Sequence, residues 1–183
     1  MNTYKVILLG QCYVGKSSII NRYIYNTFHT NIQATIGASY YTKMAEKDGK
    51  VIKLNIWDCC GNEKFNIVLP TYYKSTNIIL IVYDITSVSS YNKCKFYIED
   101  VKRNVENPII ILVGNKSDLY TREISYEDGL LMANANNVYF YECSAYNGEN
   151  INNLFQFVIS KLTISLPKAI QLNEVKNERC CQH

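Results

Sequence analysis

Short, nearly continuous apolar runs alternate along this chain with segments whose apolar residues recur every three or four positions. Residues 4–9 form the first run and end against Gly10, which predicts a buried strand. Residues 16–25 then place Ile19, Ile20, Tyr23 and Ile24 at helical spacing. Residues 38–46 and 51–59 flank Lys47-Asp48-Gly49-Lys50, where Asp-Gly predicts a hairpin turn. Apolar runs at 78–85, 109–114 and 138–143 predict further strands, separated by helices over about 89–105 and 126–136. A last helix, over about 150–165, carries Ile151, Leu154, Phe155, Val158 and Leu162 on one face. Strands this apolar must be covered on both sides. The pattern therefore predicts an α/β domain: a six-stranded, mostly parallel sheet with helices on both faces and one antiparallel edge strand from the hairpin. After Leu166-Pro167 the apolar pattern fades, so the domain is expected over 1–165 and a flexible tail over 166–183.

Composition narrows the class. With 183 residues, 48% hydrophobic and 19% charged, the chain has enough apolar matter for one core and too much for wholesale disorder. The net charge of +3 comes from scattered residues, so nothing resembles the basic stripe of a nucleic-acid binder. The longest apolar runs fall far short of the ~20 residues of a membrane span. The first residues do not read as a signal segment, which points to a cytosolic chain. Seven cysteines, dispersed and odd in number, suit reduced thiols better than a disulfide framework. Zinc finds no ligand set, because His29 and His183 are the only histidines and no C-x-x-C occurs.

The candidate chemistry follows the strands. Gly10-Gln11-Cys12-Tyr13-Val14-Gly15-Lys16-Ser17 fits G-x-x-x-x-G-K-[ST], the phosphate-cradling loop, between a strand and a helix. Its main-chain N–H groups and the following helix N-terminus favour phosphate. Lys16 reaches the β- and γ-phosphates and Ser17 ligates Mg²⁺. A plain glycine-rich turn is the bland alternative. Asn115-Lys116-Ser117-Asp118 fits N-K-x-D after the strand at 109–114. A carboxylate at Asp118 accepts two hydrogen bonds from guanine, whereas adenine would leave it unpaired, which is costly. Lys116 covers the base plane and Asn115 ties neighbouring loops. Asp58-Cys59-Cys60-Gly61 fits D-x-x-G, with Asp58 toward Mg²⁺ and the Gly61 amide toward the γ-phosphate. Ser144-Ala145 supplies a second loop on the guanine side, with the Ala145 amide toward the base carbonyl.

In this order the motifs resemble those of a Ras-superfamily small GTPase, specifically of the Rab branch, over about residues 4–165. The stretches Thr35-Ile36-Gly37-Ala38-Ser39-Tyr40 and Pro70-Thr71-Tyr72-Tyr73-Lys74 carry the Rab character, and Thr35–Tyr40 with Leu69-Pro70 is most similar to the early-endosomal Rabs. The resemblance implies a GTP/GDP switch in vesicle traffic. It implies that Val14, Ser18 and Leu119 also touch the nucleotide and that Phe28 packs beside the guanine. It implies too that Thr35 ligates Mg²⁺ and contacts the γ-phosphate. Ile36, Tyr40, Trp57 and Tyr72 match the surface that reports the nucleotide state to effectors. Implied partners are an exchange factor, a GTPase-activating protein, a GDP-dissociation inhibitor, and a Rab escort protein with geranylgeranyl transferase. The implied form is a monomer in the cytosol and on the cytoplasmic face of intracellular membranes, with endosomes the expected compartment.

Three departures bear on turnover. Rabs usually carry glutamine after D-x-x-G, where its amide orients the attacking water. Here that residue is Asn62, one methylene shorter, beside Cys59-Cys60. Cys12 and Tyr13 replace the small residues commonest in the phosphate loop, and Tyr13 is bulky enough to crowd the nucleotide or an activator's arginine. With the main-chain cradle, Lys16 and Ser17 in place, binding should survive, while hydrolysis, which also calls on Lys16 and Thr35, should be slow. The alternative is a binding module with negligible hydrolysis that holds GTP as a constitutive effector recruiter. A P-loop ATPase or nucleoside kinase is disfavoured by N-K-x-D. At the end, Cys180-Cys181-Gln182-His183 resembles the prenylated double cysteine of Rabs more than a C-a-a-X box.

Overall fold

In β1 (Thr3–Leu9), Val6 and Leu8 turn to one face of the sheet while Ile7 and Leu9 turn to the other, all buried. Such alternation divides the core into two apolar layers, one on each side of the sheet. The computed structural model describes residues 1–30, 34–62, 64 and 69–163. After β1 come α1 (Lys16–Tyr25), β2 (Ala38–Lys47), β3 (Lys50–Cys59), α2 (Leu69–Tyr73) and β4 (Ile78–Asp84). They are followed by α3 (Val88–Asn104), β5 (Ile109–Asn115), α4 (Tyr126–Ala135), β6 (Tyr139–Cys143) and α5 (Ile151–Lys161).

The six strands lie in the order β2-β3-β1-β4-β5-β6. All neighbours pair in parallel except β2 and β3, so the expected mixed sheet with one antiparallel edge strand is found. Lys47 pairs with Lys50, and the two residues between them, Asp48 (φ 51°) and Gly49 (φ 70°), both take positive φ. That is the turn whose twist matches a two-residue hairpin.

Helices α1 and α5 cover one face, where Ile19 and Ile20 meet Leu154, Phe155 and Val158. The Tyr23 ring stacks on Phe155 at 3.6 Å between centroids. Helices α2, α3 and α4 cover the other face through Leu69, Tyr73, Tyr97, Ile98, Val101 and Ala133. Among the described residues no helix is long and apolar enough to cross a membrane.

Boundaries depart from the pattern where hydrogen bonds outrank periodicity. Ser87 accepts from the Ser90 N–H and starts α3 at Val88, because a side-chain cap supplies a partner for an orphan donor. The predicted final helix ran to residue 165; α5 ends at Lys161, with Leu162 extended as its cap. Helix α2 was not predicted. Five residues with Pro70 in the first turn are too few to show a helical period. Residues 164–183 lie outside the described residues, and with them Cys180, Cys181 and the expected tail.

Strand β1 sits between β3 and β4, so the chain leaves the sheet centre in both directions. The crevice beyond the carboxyl ends of strands at such a point is where ligands bind in open α/β sheets. The loops after β1, β3, β5 and β6 converge there.

Candidate functional site

The loop after β1 is shaped by residues of positive φ: Gly10, Tyr13 and Gly15. Gly15 is required twice over, since its φ is 96° and a Cβ there would stand 2.2 Å from Asn115 Nδ2. Tyr13, at φ 65°, is a bulky residue in a region that suits glycine. Its side chain is 79% exposed, so the ring stands outward at the cavity mouth and does not fill it. Lys16 is buried, and its ammonium donates to the Gly10 carbonyl at 2.9 Å and the Gln11 carbonyl at 2.8 Å. Burial pulls the lysine's pKa down, opposed first by Asp58.

At the next corner, Ser17 Oγ donates to Asp58 Oδ2 at 2.5 Å. Thr35 Oγ1 donates to the same oxygen at 3.1 Å, and the two hydroxyls lie 3.2 Å apart. Asp58 Oδ1 is buried without a hydrogen-bond partner. Desolvation raises the carboxyl's pKa, against the lowering effect of Ser17, Lys16 and Thr35. Two hydroxyls and a carboxylate with an unspent buried oxygen form a hard-oxygen donor set, which fits Mg²⁺.

The third corner is built around Asn115. Its Nδ2 donates to the Val14 carbonyl at 2.8 Å, and its Oδ1 accepts from the Ala145 N–H at 3.1 Å. One side chain thereby joins three loops. The Ala145 amide, expected at a base carbonyl, is given to Asn115 here. Ser144 is fully buried and its hydroxyl donates to the Asp118 carboxylate. The Lys116 ammonium pairs with Asp84 at 2.5 Å, leaving its stem along the cavity wall. Arg22 holds this side from α1, donating to the Ala145 carbonyl at 2.9 Å and the Tyr146 carbonyl at 2.5 Å. The rings of Phe28 and Tyr146 meet edge to face at 5.3 Å.

These loops enclose a cavity of about 630 Å³. Tyr13, Gly15, Lys16, Ser17, Ser18, Phe28 and Thr35 line it, together with Gly61, Asn115, Lys116, Asp118, Leu119 and Ala145. Gly10, Val14, Asp58 and Ser144 stand behind that wall through the bonds given above. Asn62 does neither. It is exposed, and its Oδ1 accepts from the Lys64 N–H at 3.0 Å within its own loop. Ile36, Tyr40, Trp57 and Tyr72 are not among the lining residues. Tyr40 meets Trp57 at 5.1 Å, and Trp57 meets Tyr72 at 6.2 Å. Ile36 is 91% exposed nearby in sequence.

Sequence reasoning missed Arg22, and also His29, Thr30, Ala34, Tyr120 and Tyr146 on the cavity wall, where Cys12 of the phosphate loop stands as well. Tyr146 directly follows the Ser-Ala pair, a signal that was available. Arg22 left none, because its partners in this loop, the carbonyls of Ala145 and Tyr146, are more than 120 positions away.

The family model described as the Ras family matches residues 5–164. A GTP-binding protein of Saccharomyces cerevisiae, YPT53, is 39% identical over 168 residues, covering 87% of this chain and 76% of the yeast protein. With a match across most of its length and a cavity walled by the four loops that carry the motifs, the chain belongs to the Ras family of small GTPases, in its Rab branch.

Proposed function

We propose that the cavity binds GTP and GDP with Mg²⁺, and that the protein is a Rab switch in vesicle traffic which turns over GTP slowly. One observation carries this reading. Lys16, the Ser17–Asp58–Thr35 corner and Asp118 open onto or stand against the same cavity, on the separate loops that carry the phosphate and base motifs. Asp118 pairs with the guanine edge while Ser144 fixes its carboxylate. Phe28 and Tyr146 flank the base. Lys16 and the loop amides hold the phosphates. Ser17 and Thr35, with Asp58 behind them, would hold Mg²⁺, which when bound neutralises charge on the β- and γ-phosphate oxygens. Hydrolysis is attack of water on the γ-phosphorus with loss of the bond to the β-phosphate oxygen, giving GDP and phosphate. The chain's contribution is position: Lys16 and the loop amides meet the charge that develops, Thr35 orders the γ-phosphate side, and Asn62 is the amide available to orient the water.

The Asn62 geometry favours slow turnover. Its carbonyl oxygen is turned onto the Lys64 N–H and the residue does not line the cavity, so the side chain must reorient before it can order a water there. The same observation supports the stronger version, a module that holds GTP with negligible hydrolysis. Displacement of a fluorescent GDP by GTP and by ATP, followed by single-turnover hydrolysis, tests both. Tight GTP binding, weak ATP binding and a slow but measurable rate are expected. Equal competition by ATP would refute the guanine reading, and no detectable phosphate would leave the binding module. Beyond the cavity, Ile36, Tyr40, Trp57 and Tyr72 present the state to effectors. Exchange and activating proteins act on the same loops. Geranylgeranyl groups on Cys180 and Cys181, added with an escort protein and shielded by a dissociation inhibitor, would place the switch on intracellular membranes, endosomes among them.

A further inference from the structure

Cys12 and Cys60 differ from the other described thiols in being partly exposed, whereas Cys59, Cys94 and Cys143 are buried. They belong to separate segments, the loop after β1 and the chain just beyond β3, and those segments are pressed together. A Cβ on Gly61 would stand 2.3 Å from the Cys12 nitrogen and 2.3 Å from the Gln11 carbonyl carbon. A disulfide spans roughly 4.4–6.8 Å between Cα atoms, and consecutive Cα atoms are about 3.8 Å apart. Cys60 is one residue from that contact and Cys12 is the contact itself. Cys12 lines the open cavity, where a small oxidant arrives from solvent. Cys60 Sγ accepts from the Asn62 N–H at 3.4 Å, so its sulfur already touches the segment that carries the amide.

We propose that Cys12 and Cys60 form a peroxide-reactive dithiol that closes into a disulfide on the phosphate side of the cavity. In the first step the Cys12 sulfur attacks a hydrogen peroxide oxygen. An S–O bond forms, the O–O bond breaks, and water leaves with the thiol proton, giving a sulfenic acid. In the second step the Cys60 sulfur attacks the sulfenic sulfur. The S–S bond forms, the S–O bond breaks, and a second water carries off the Cys60 proton. Two thiols lose two electrons, and one peroxide becomes two waters. The bridge fixes Gly61 and Asn62 against the phosphate loop. Its effect on nucleotides rests on the GTP/GDP reading above: a segment held against the phosphate loop cannot open beside the phosphates, so release of bound GDP slows.

The test treats the full chain with equimolar hydrogen peroxide, nucleotide-free and loaded with GDP and Mg²⁺, blocks the remaining thiols and maps tryptic peptides. The expected product joins the peptide of Cys12 to that of Cys60 and disappears with dithiothreitol. Cys59 shares a tryptic peptide with Cys60, so Cys60→Ser must abolish the link, as must Cys12→Ser. Cys94→Ser and a Cys180→Ser/Cys181→Ser variant must retain it. Recovery of Cys12 or Cys60 singly oxidised, with no joined peptide, overturns the proposal, as does a link made by Cys59. In the linked protein release of a fluorescent GDP should slow at least tenfold relative to the reduced form, and an unchanged release rate overturns the effect on the switch. Reduced protein that binds no guanine nucleotide counts against the functional reading alone, because the peptide map does not depend on it.

Discussion

Asp118 and Asp58 both stand at the cavity, yet their surroundings give them opposite tasks. Asp118 accepts one hydroxyl hydrogen bond, from Ser144, and lines the open wall. Asp58 is sunk behind Ser17 and Thr35, with one oxygen unspent. Asp118→Asn should therefore lose GTP affinity and gain affinity for xanthosine nucleotides, since the amide donates to the extra carbonyl. Losing charge-assisted bonds corresponds to about 2–4 kcal/mol, read by nucleotide titration. Unchanged GTP affinity would refute the assignment. At Asn62 the issue is reach. The short amide closes a turn onto the Lys64 N–H, a local bond that asparagine makes readily. Asn62→Gln should weaken that turn and carry the amide farther, raising the single-turnover rate tenfold or more, at least ~1.4 kcal/mol of barrier. GTP affinity should hardly change. If the outward Tyr13 ring swings in over the longer side chain, the Tyr13→Gly/Asn62→Gln double variant should exceed either single change. Failure of every variant to exceed the parent would mean that Asn62 does not limit turnover.

Among the elements, α2 shows how a short helix is kept. Five residues cannot hold a helix by propensity. Leu69 and Tyr73 are buried against the second core layer, and the Tyr73 hydroxyl donates to Asp100 of α3. Burial, then that bond and the Asp100 charge, push the Tyr73 phenol pKa well above its usual 10. The native state thus keeps the phenolic proton to higher pH than the unfolded chain. Its stabilising contribution is complete below pH 10 and is lost as pH rises from 10 toward the raised native value. Tyr73→Phe should cost about 1.5–3 kcal/mol near neutrality, where the bond to a charged group is intact. It should also flatten the fall of stability above pH 10. Denaturant midpoints for parent and variant at pH 7 and above pH 10 check both, and parallel alkaline slopes would show that Tyr73 does not titrate in the way described. The elements with long apolar signals, β1, β4, β5 and the amphipathic α1, were legible in the sequence within a residue or so. Helix α2 was not, because tertiary contacts, not periodicity, hold it.

For the whole molecule the question is how a cavity on one rim is joined to a membrane. The proposed link is lipid on the chain beyond residue 165. Replacing Cys180 and Cys181 by serine should leave nucleotide affinity unchanged and move the protein to the soluble fraction. Each buried CH₂ contributes about 0.8 kcal/mol, and two chains anchor where one is marginal. Continued membrane recovery of the double variant, from cells that lipidate the parent, would show another anchor. The apolar alternation by itself determined the layered α/β domain, because strands covered on both faces admit few other arrangements. Motif order likewise determined which loops wall the cavity. Only the tertiary structure decided that Arg22 clamps the loop at Ala145, that Asn115 ties three loops together, and that Asn62 turns away from the cavity. Such contacts join residues far apart in the chain or depend on the direction of a single side chain. Hydrophobic period and motif spacing record which face a residue takes and which loop it occupies. They do not record which distant carbonyl its side chain will meet once the strands have paired.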